Sequence, residues 1–266
     1  SVEITRPISV NVVNCLISGG TEKVFYLINS GHQITLQDST FQYCNTATYG
    51  GIVFMDSVDS TGFTQLVSAV NCTLAHNRAA NFGSVFYLRA DANTLQNVTV
   101  TDSQIFNNSA VNGGVMEITS QNGPSNQTVQ FQRCNIHDNN VSGRGGVLHM
   151  DAASNIFQNV YIHYNTTINN AAQNEGGFMY VESTTTASPQ LVELFNNSFE
   201  DNTASNGGAI FLRNSFSQNV AVRSNVILNN HADLNGGFLS LSGSPTMTQF
   251  EFAYNLGYGN SVVDGG

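Results

Sequence analysis

The residues most able to do chemistry are Asp151 and Glu182, with His149 two places before the first and Tyr180 two places before the second. Two carboxylates held at a fixed gap can cleave a glycosidic bond, one as acid and the other as base or nucleophile. The gap here depends on whether the chain sets positions 31 residues apart side by side. The same residues also fit an arrangement with no chemistry. Asp56, Arg89, Thr119, Asp151, Glu182, Arg213 and Ser242 recur as one column, in which Asp56 can face Arg89 and Glu182 can face Arg213. Such charge pairs contribute about 0.2–1 kcal/mol each. No Asp-Asp step, no basic cluster for a uronate and no acidic cage for calcium accompanies them. The ion-pair ladder is therefore the first reading, and catalysis by Asp151, Glu182 and His149 the second.

What would position these residues is a repeat. Gly50-Gly51, the variant Gly83-Ser84, Gly113-Gly114, Gly145-Gly146, Gly176-Gly177, Gly207-Gly208 and Gly236-Gly237 follow one another at 33, 30, 32, 31, 31 and 29 residues. A degraded copy begins near Phe252 and an opening one near Cys15. Before each glycine pair stands an apolar column: Phe41, Leu74, Ile105, Ile136, Ile168, Phe199 and Ile227. Three residues later come Cys44, Asn77, Asn108, Asn139, Ala171, Asn202 and Asn230. Two residues before the apolar column come Ser39, Cys72, Ser103, Cys134, Thr166, Asn197 and Asn225.

After each glycine pair the chain alternates with period two, the signature of a strand. One parity is almost wholly aliphatic, from Val53/Met55 and Phe86/Leu88 to Ile210/Leu212 and Leu239/Leu241. Helical repeats of similar period need two amphipathic helices per unit, and none is present. The spacing predicts an all-β, single-stranded right-handed parallel β-helix, one domain over residues 1–266, with about eight coils of roughly 31 residues. Equivalent positions then stack about 4.8 Å apart. Asparagine, which tolerates the left-handed conformation and can bond to its neighbour one coil away, marks the corners. Glycine allows the close approach of coil on coil.

Composition removes several function classes. Net charge is −10 with eight scattered basic residues, which excludes a phosphate-binding surface for nucleic acid. No apolar run is long enough to span a membrane. The absence of a starting Met or a leader-like segment reads as a mature chain or an excised piece. Cys15, Cys44, Cys72 and Cys134 show no CxxC spacing, so no zinc site is expected. The glycine steps lack lysine and are not phosphate loops, so no metal and no cofactor is expected. Cys72 and Cys134 share an inward column two coils apart, too far for a disulfide, whereas Cys15 and Cys44 could meet across adjacent coils.

Seven sequons, at Asn71, Asn97, Asn107, Asn126, Asn140, Asn165 and Asn196, offer N-glycosylation. All are read as outward or loop positions, with Asn71, Asn165 and Asn196 in one column. A second acidic column holds Asp138 and Asp201, separated by Asn170. The outward parity after the glycines reads Phe54, Tyr87, Glu117, His149, Tyr180, Phe211 and Ser240. Its four aromatics, Phe54, Tyr87, Tyr180 and Phe211, are either an exposed docking stripe for sugar or another subunit, or are covered by loops such as 119–128 and 183–189.

The pairing of Phe199–Asn202 with Gly207–Ile210, an FxxN followed by GGAI, resembles the repeats of chlamydial polymorphic outer-membrane proteins. Similar repeats occur in large extracellular proteins of ciliates and other protists, in the pectin-lyase-like right-handed β-helix class. The resemblance covers roughly residues 38 to 263. It implies surface display and an adhesive or fibrous role, and the class also includes polysaccharide hydrolases and lyases. The chain departs from the pattern at Gly83-Ser84, at Ala171, and in lacking an outer-membrane barrel segment. Together these features point to an extracellular or cell-surface structural glycoprotein that self-associates end to end. A polysaccharide-acting enzyme and a carbohydrate-binding module are the rival readings.

Overall fold

A computed structural model describes residues 2–4, 7–28, 31–57, 62–90, 93–120, 125–152, 156–183, 189–214, 217–243 and 246–263. Every strand pairing within them is parallel, and the chain winds as a β-solenoid through three sheets. Sheet I has nine strands, from Val2–Ile4 to Leu239–Gly243, the last seven of which follow the glycine pairs. Sheet II is nine strands deep, from Ile8–Val13 to Thr246–Ala253. Sheet III has sixteen short strands, most coils giving it two. The opening coil anticipated near Cys15 is real, and it is short: Val2 pairs with Phe25, only 23 residues on.

The aliphatic parity of sheet I lies in register from coil to coil and faces the interior. Phe41, Phe131, Phe178 and Phe199 fill the middle without exposure, the Phe178 and Phe199 rings 5.7 Å apart. Burying each such side chain is worth about 1.5–3 kcal/mol. The repeat therefore gains core with every coil.

The corners decide the register. Between the two strands of sheet III stands an asparagine ladder: Asn77, Asn108, Asn139, Asn170, Asn202, Asn230 and Asn260. Asn108 shows the pattern. Its Oδ1 accepts the Asn77 backbone N–H and the Asn77 Nδ2, each at 3.0 Å. Its own Nδ2 donates to Asn139 Oδ1 at 2.9 Å and to the Leu74 carbonyl at 2.8 Å. An amide has two donors and two acceptor sites, and here all four are used in a buried place. The residue before each ladder member takes positive φ, as His76, Asn107, Asp138, Asn169, Asp201 and Asn229 do. That conformation turns the chain and aims the next side chain inward.

This ladder corrects the sequence register at one coil. Ile136 pairs with Thr167, and Thr167 with Phe199, so Thr167 and not Ile168 holds the apolar column. Asn170 and not Ala171 continues the ladder, bonded to Asn139 and Asn202. Asn165 and not Thr166 stands inward, and Asn169 rather than Asn170 separates Asp138 from Asp201. The segment between ladder asparagine and glycine is four residues in some coils and five in others. Counting back from the glycine therefore slips by one, and in a strand one residue exchanges the faces.

A second amide ladder fills the corner between sheets II and III. Asn165, Asn197, Asn225 and Asn255 bond in sequence, with Cys134, Ser103, Cys72 and Ser39 in the same place in earlier coils. A third, buried at the start of sheet II, is made of glutamines. Gln96, Gln127, Gln158, Gln190 and Gln218 each donate to the glutamine one coil before, at 2.8–3.2 Å. The sequence displayed this ladder as Gln at intervals of 31, 31, 31, 32 and 28 from Gln65, but period-two reading passes over it. Cys15 lies in the column of Ser39 while Gly20 lies in that of Cys44. Cys15 and Cys44 therefore occupy different corners, and all four cysteines are free.

Charge in the ladder cannot be tolerated, because an unpaired buried carboxylate also leaves its former acceptors without donors. Asn202→Asp and Asn170→Ala are each expected to cost about 2 kcal/mol or more, while Ala171→Ser, on the outward side, stays near neutral. Thermal melting of the three variants checks the register: equal tolerance at 170 and 171 would contradict it.

Candidate functional site

The chemistry-bearing residues of sheet I stand on its outward parity, above the core. Phe54, Tyr87, Glu117, His149, Tyr180, Phe211 and Ser240 form one continuous column, in the register expected. Their exposure is the surprise. Phe54, Tyr87, Tyr180 and Phe211 are 6%, 5%, 0% and 7% exposed. They are not an open stripe that a lateral partner could meet. The loop segments 121–124 and 184–188, in which a cover was anticipated, lie outside the described residues.

One described cover is the residue before each turn glycine. Tyr49 stacks on Tyr87 at 4.9 Å and on Phe82 at 5.4 Å. Arg144 lies 5.0 Å over the Tyr180 ring, a cation–π placement. Glycine is required to bring this residue back. Gly145 has φ +63°, and a Cβ there would meet the Leu148 carbonyl at 2.1 Å. A Cβ on Gly146 would meet the Gly177 carbonyl, one coil away, at 1.9 Å. The glycine pair thus serves the outward face as much as the core.

Under this cover sits a cluster of titratable groups. His149 Nδ1 is 2.7 Å from Glu117 Oε2, with both residues buried. Among the described residues no other hydrogen-bonding partner stands at these two atoms or at His149 Nε2. His149 stacks on Tyr180 at 5.0 Å, and Tyr180 on Phe211 at 5.5 Å. The Tyr180 hydroxyl donates to Glu182 Oε2 at 2.5 Å. Glu182 is also 3.2 Å from Arg213 and 3.6 Å from Arg144, which itself bonds Glu175 at 2.6 Å.

Asp151 and Glu182 are register neighbours, as the sequence required. Asp151 is half-buried, while Glu182 is almost enclosed. The expected ladder forms as well: Arg89 pairs with Asp56 through its Nε at 3.0 Å, and Arg213 with Glu182. The pattern extends to Arg133 with Asp102 and to Arg223 with Glu251, each an acid stacked on an arginine one coil away. A substrate reaching Glu182 would have to displace Tyr180 and Arg213. Among the described residues, no group of three or more His, Cys, Asp or Glu is placed to hold a metal, and no helix is long and apolar enough to cross a membrane.

The sequons separate by position. Asn71, Asn107, Asn126, Asn140 and Asn196 are exposed, and Asn97 is half-buried. Asn165 is the correction: it is 2% exposed and carries the second amide ladder, its Nδ2 bonded to Asn197 Oδ1 and to the Phe131 carbonyl. Its register partner is Asn197, so it does not share the column of Asn71 and Asn196. Sugar at this nitrogen and the folded corner exclude each other. Glycopeptide mass spectrometry on secreted protein is expected to find Asn165 bare, and an occupied Asn165 in folded material would overturn the ladder.

Glu117 and His149 also make a pH prediction. Burial raises the Glu117 carboxyl above its ordinary value, against the pull of His149. For His149, burial opposes the charged ring, but the Glu117 carboxylate outweighs it and the group is raised. Both therefore hold protons to higher pH in the folded chain than in the unfolded one. Stability from such a group is full below its unfolded value and is lost as pH rises through its folded value. For His149 that loss lies above its ordinary 6.5. In Glu117→Gln the carboxylate is gone, and burial alone favours a neutral ring. Relative to this variant, the wild type is expected to lose melting temperature as pH rises above the ordinary histidine value of 6.5. Parallel pH profiles for the two proteins would remove the pair as a proton-holding unit.

No protein-family model, curated protein or solved structure matches this chain.

Proposed function

We propose that this chain is a non-enzymatic structural module of an extracellular or cell-surface assembly, a building unit that stacks end to end into a filament or coat. The observation that carries this reading is the last described coil. Leu241, Phe250 and Phe252 take the places that Leu212, Val220 and Val222 hold one coil earlier. The earlier three are buried, whereas Leu241, Phe250 and Phe252 are 37%, 46% and 53% exposed. These are interior side chains of a solenoid facing outward along its axis. Asn255 and Asn260, the last ladder members, each donate back to a carbonyl of the coil before, that of Val222 and of Ile227.

An open solenoid end is a sticky edge, and a polar cap or another coil removes it. At the other end Leu16 is 68% exposed and Ile8 37%. A head-to-tail contact between two such unlike faces is heterologous, so it propagates instead of closing. Further coils of a longer parent chain would give the same geometry in covalent form. Low charge, exposed sequons and stacked amides suit a surface scaffold. An adhesive use fits the same frame.

The enzyme reading places Asp151 and Glu182 together but has Glu182 engaged by Tyr180 and Arg213, so the scaffold is the better supported of the two. Sedimentation across a wide concentration range tests it. The wild-type chain is expected to form species that lengthen with concentration, and Phe252→Asp to stay monomeric while keeping its β-sheet signal. A wild type that remains a monodisperse monomer at high concentration would overturn self-stacking.

A further inference from the structure

Away from its first and last strands, sheet II exposes large apolar side chains at Leu95 and Phe157 among the described residues. Strand Ser125–Gln132 lies between Leu95–Thr101 and Ile156–His163. In register, Asn126 has Leu95 on one side and Phe157 on the other. Asn126 is exposed, and its neighbours are 38% and 54% exposed. A shallow cavity of about 320 Å³ opens among Thr94, Leu95, Ser125, Asn126 and Phe157, with Asn93 at its rim. Among the described residues no charged side chain lines it. Two large apolar groups flanking a polar one in an outward column call for a cover.

Asn126 itself supplies the means, since Asn126-Gln127-Thr128 is a sequon with Asn126 and Thr128 on the same outward parity. The other exposed sequons lack this setting. Asn71 spends its amide on Asp38 at 2.7 Å, and Asn196 has an aromatic neighbour, Tyr164, on one side only. We infer that Asn126 carries an N-linked glycan whose first sugar sits in this cavity, its apolar C–H faces against Phe157 and Leu95. A neutral N-acetylhexosamine suits a cavity with apolar walls and uncharged polar atoms between them. The inference rests on the extracellular reading above.

The transfer balances in a simple way. The Asn126 amide nitrogen bonds to C1 of the sugar of a lipid-linked pyrophosphate donor. The C1–O bond breaks, the lipid pyrophosphate leaves with the bonding electrons, and the amide gives up one N–H proton. Seating the sugar afterwards needs no change in the chain, because cavity and flanking side chains already stand in strand register.

The test is the full chain secreted from a eukaryotic host, with glycopeptide mass spectrometry and thermal melting of wild type, Asn126→Gln, Phe157→Ala and the double variant. Asn126 is expected to be occupied, and Asn126→Gln to lower the melting temperature by about 2–4 °C. In the Phe157→Ala background the same change should have almost no effect. Trimming the wild-type glycan to its first sugar should keep the melting temperature, and complete removal should lose it. A bare Asn126 beside occupied Asn107 or Asn196 overturns this inference alone, as do equal shifts in both backgrounds. Sequons bare throughout overturn it together with the glycoprotein reading.

Discussion

A buried amide that must satisfy four hydrogen-bonding groups at once sets the pitch of this solenoid. Each ladder asparagine from Asn108 to Asn230 takes two bonds from the coil before it, gives one to the coil after, and gives one back to a carbonyl. No other side chain offers that combination at that length. The bonds close only if successive coils stack in register. Hydrophobic burial favours any compact winding, whereas the amide corners accept one. The glutamine ladder repeats the device at the start of sheet II, where a longer side chain reaches the same kind of partner. Among the described residues its last oxygen, on Gln218, has no partner, and Met247 takes the next register place.

The same one-coil spacing organises everything outside the core. Rings stack on rings at 5.0 and 5.5 Å because the backbone places them there. Acids meet arginines because both recur in columns: Asp102 with Arg133, Glu251 with Arg223. At the exposed sites these pairs are worth little individually. Under the cover of the glycine turns the balance changes. Glu117 and His149 share an enclosed place, and neither can lose its partner without leaving a charge or a donor buried. A cluster that reads in sequence like equipment for catalysis is, in the folded chain, knit into stacked rings and guanidinium contacts.

Stacking also separates the middle of the solenoid from its last described coil and its flank. Within the column each coil satisfies its neighbours, so the middle of the solenoid offers little to a partner along its axis. The last described coil is different, with Phe250 and Phe252 turned toward solvent. On the flank, Leu95 and Phe157 face water beside an asparagine that can accept a sugar.

The sequence by itself determined the class of fold and most of its columns. Glycine pairs at near-constant spacing and a period-two apolar parity have few physical solutions, and the sheet I column from Phe54 to Ser240 was legible residue by residue. The charge ladder was legible for the same reason, since a fixed repeat fixes which charges meet. Tertiary structure alone decided two matters. One was the register at the coil of Asn165 and Asn170, because the arm between asparagine and glycine varies by a residue and only the bonded neighbours show where the slack is taken up. The other was exposure. Outward parity in a strand says which way a side chain points, not what covers it. Tyr180 points outward and is fully buried, because Arg144, brought round by a glycine turn from a different part of the coil, lies over its ring. Alternation along one strand cannot contain that information, since the cover is a long-range contact made only when the chain closes on itself.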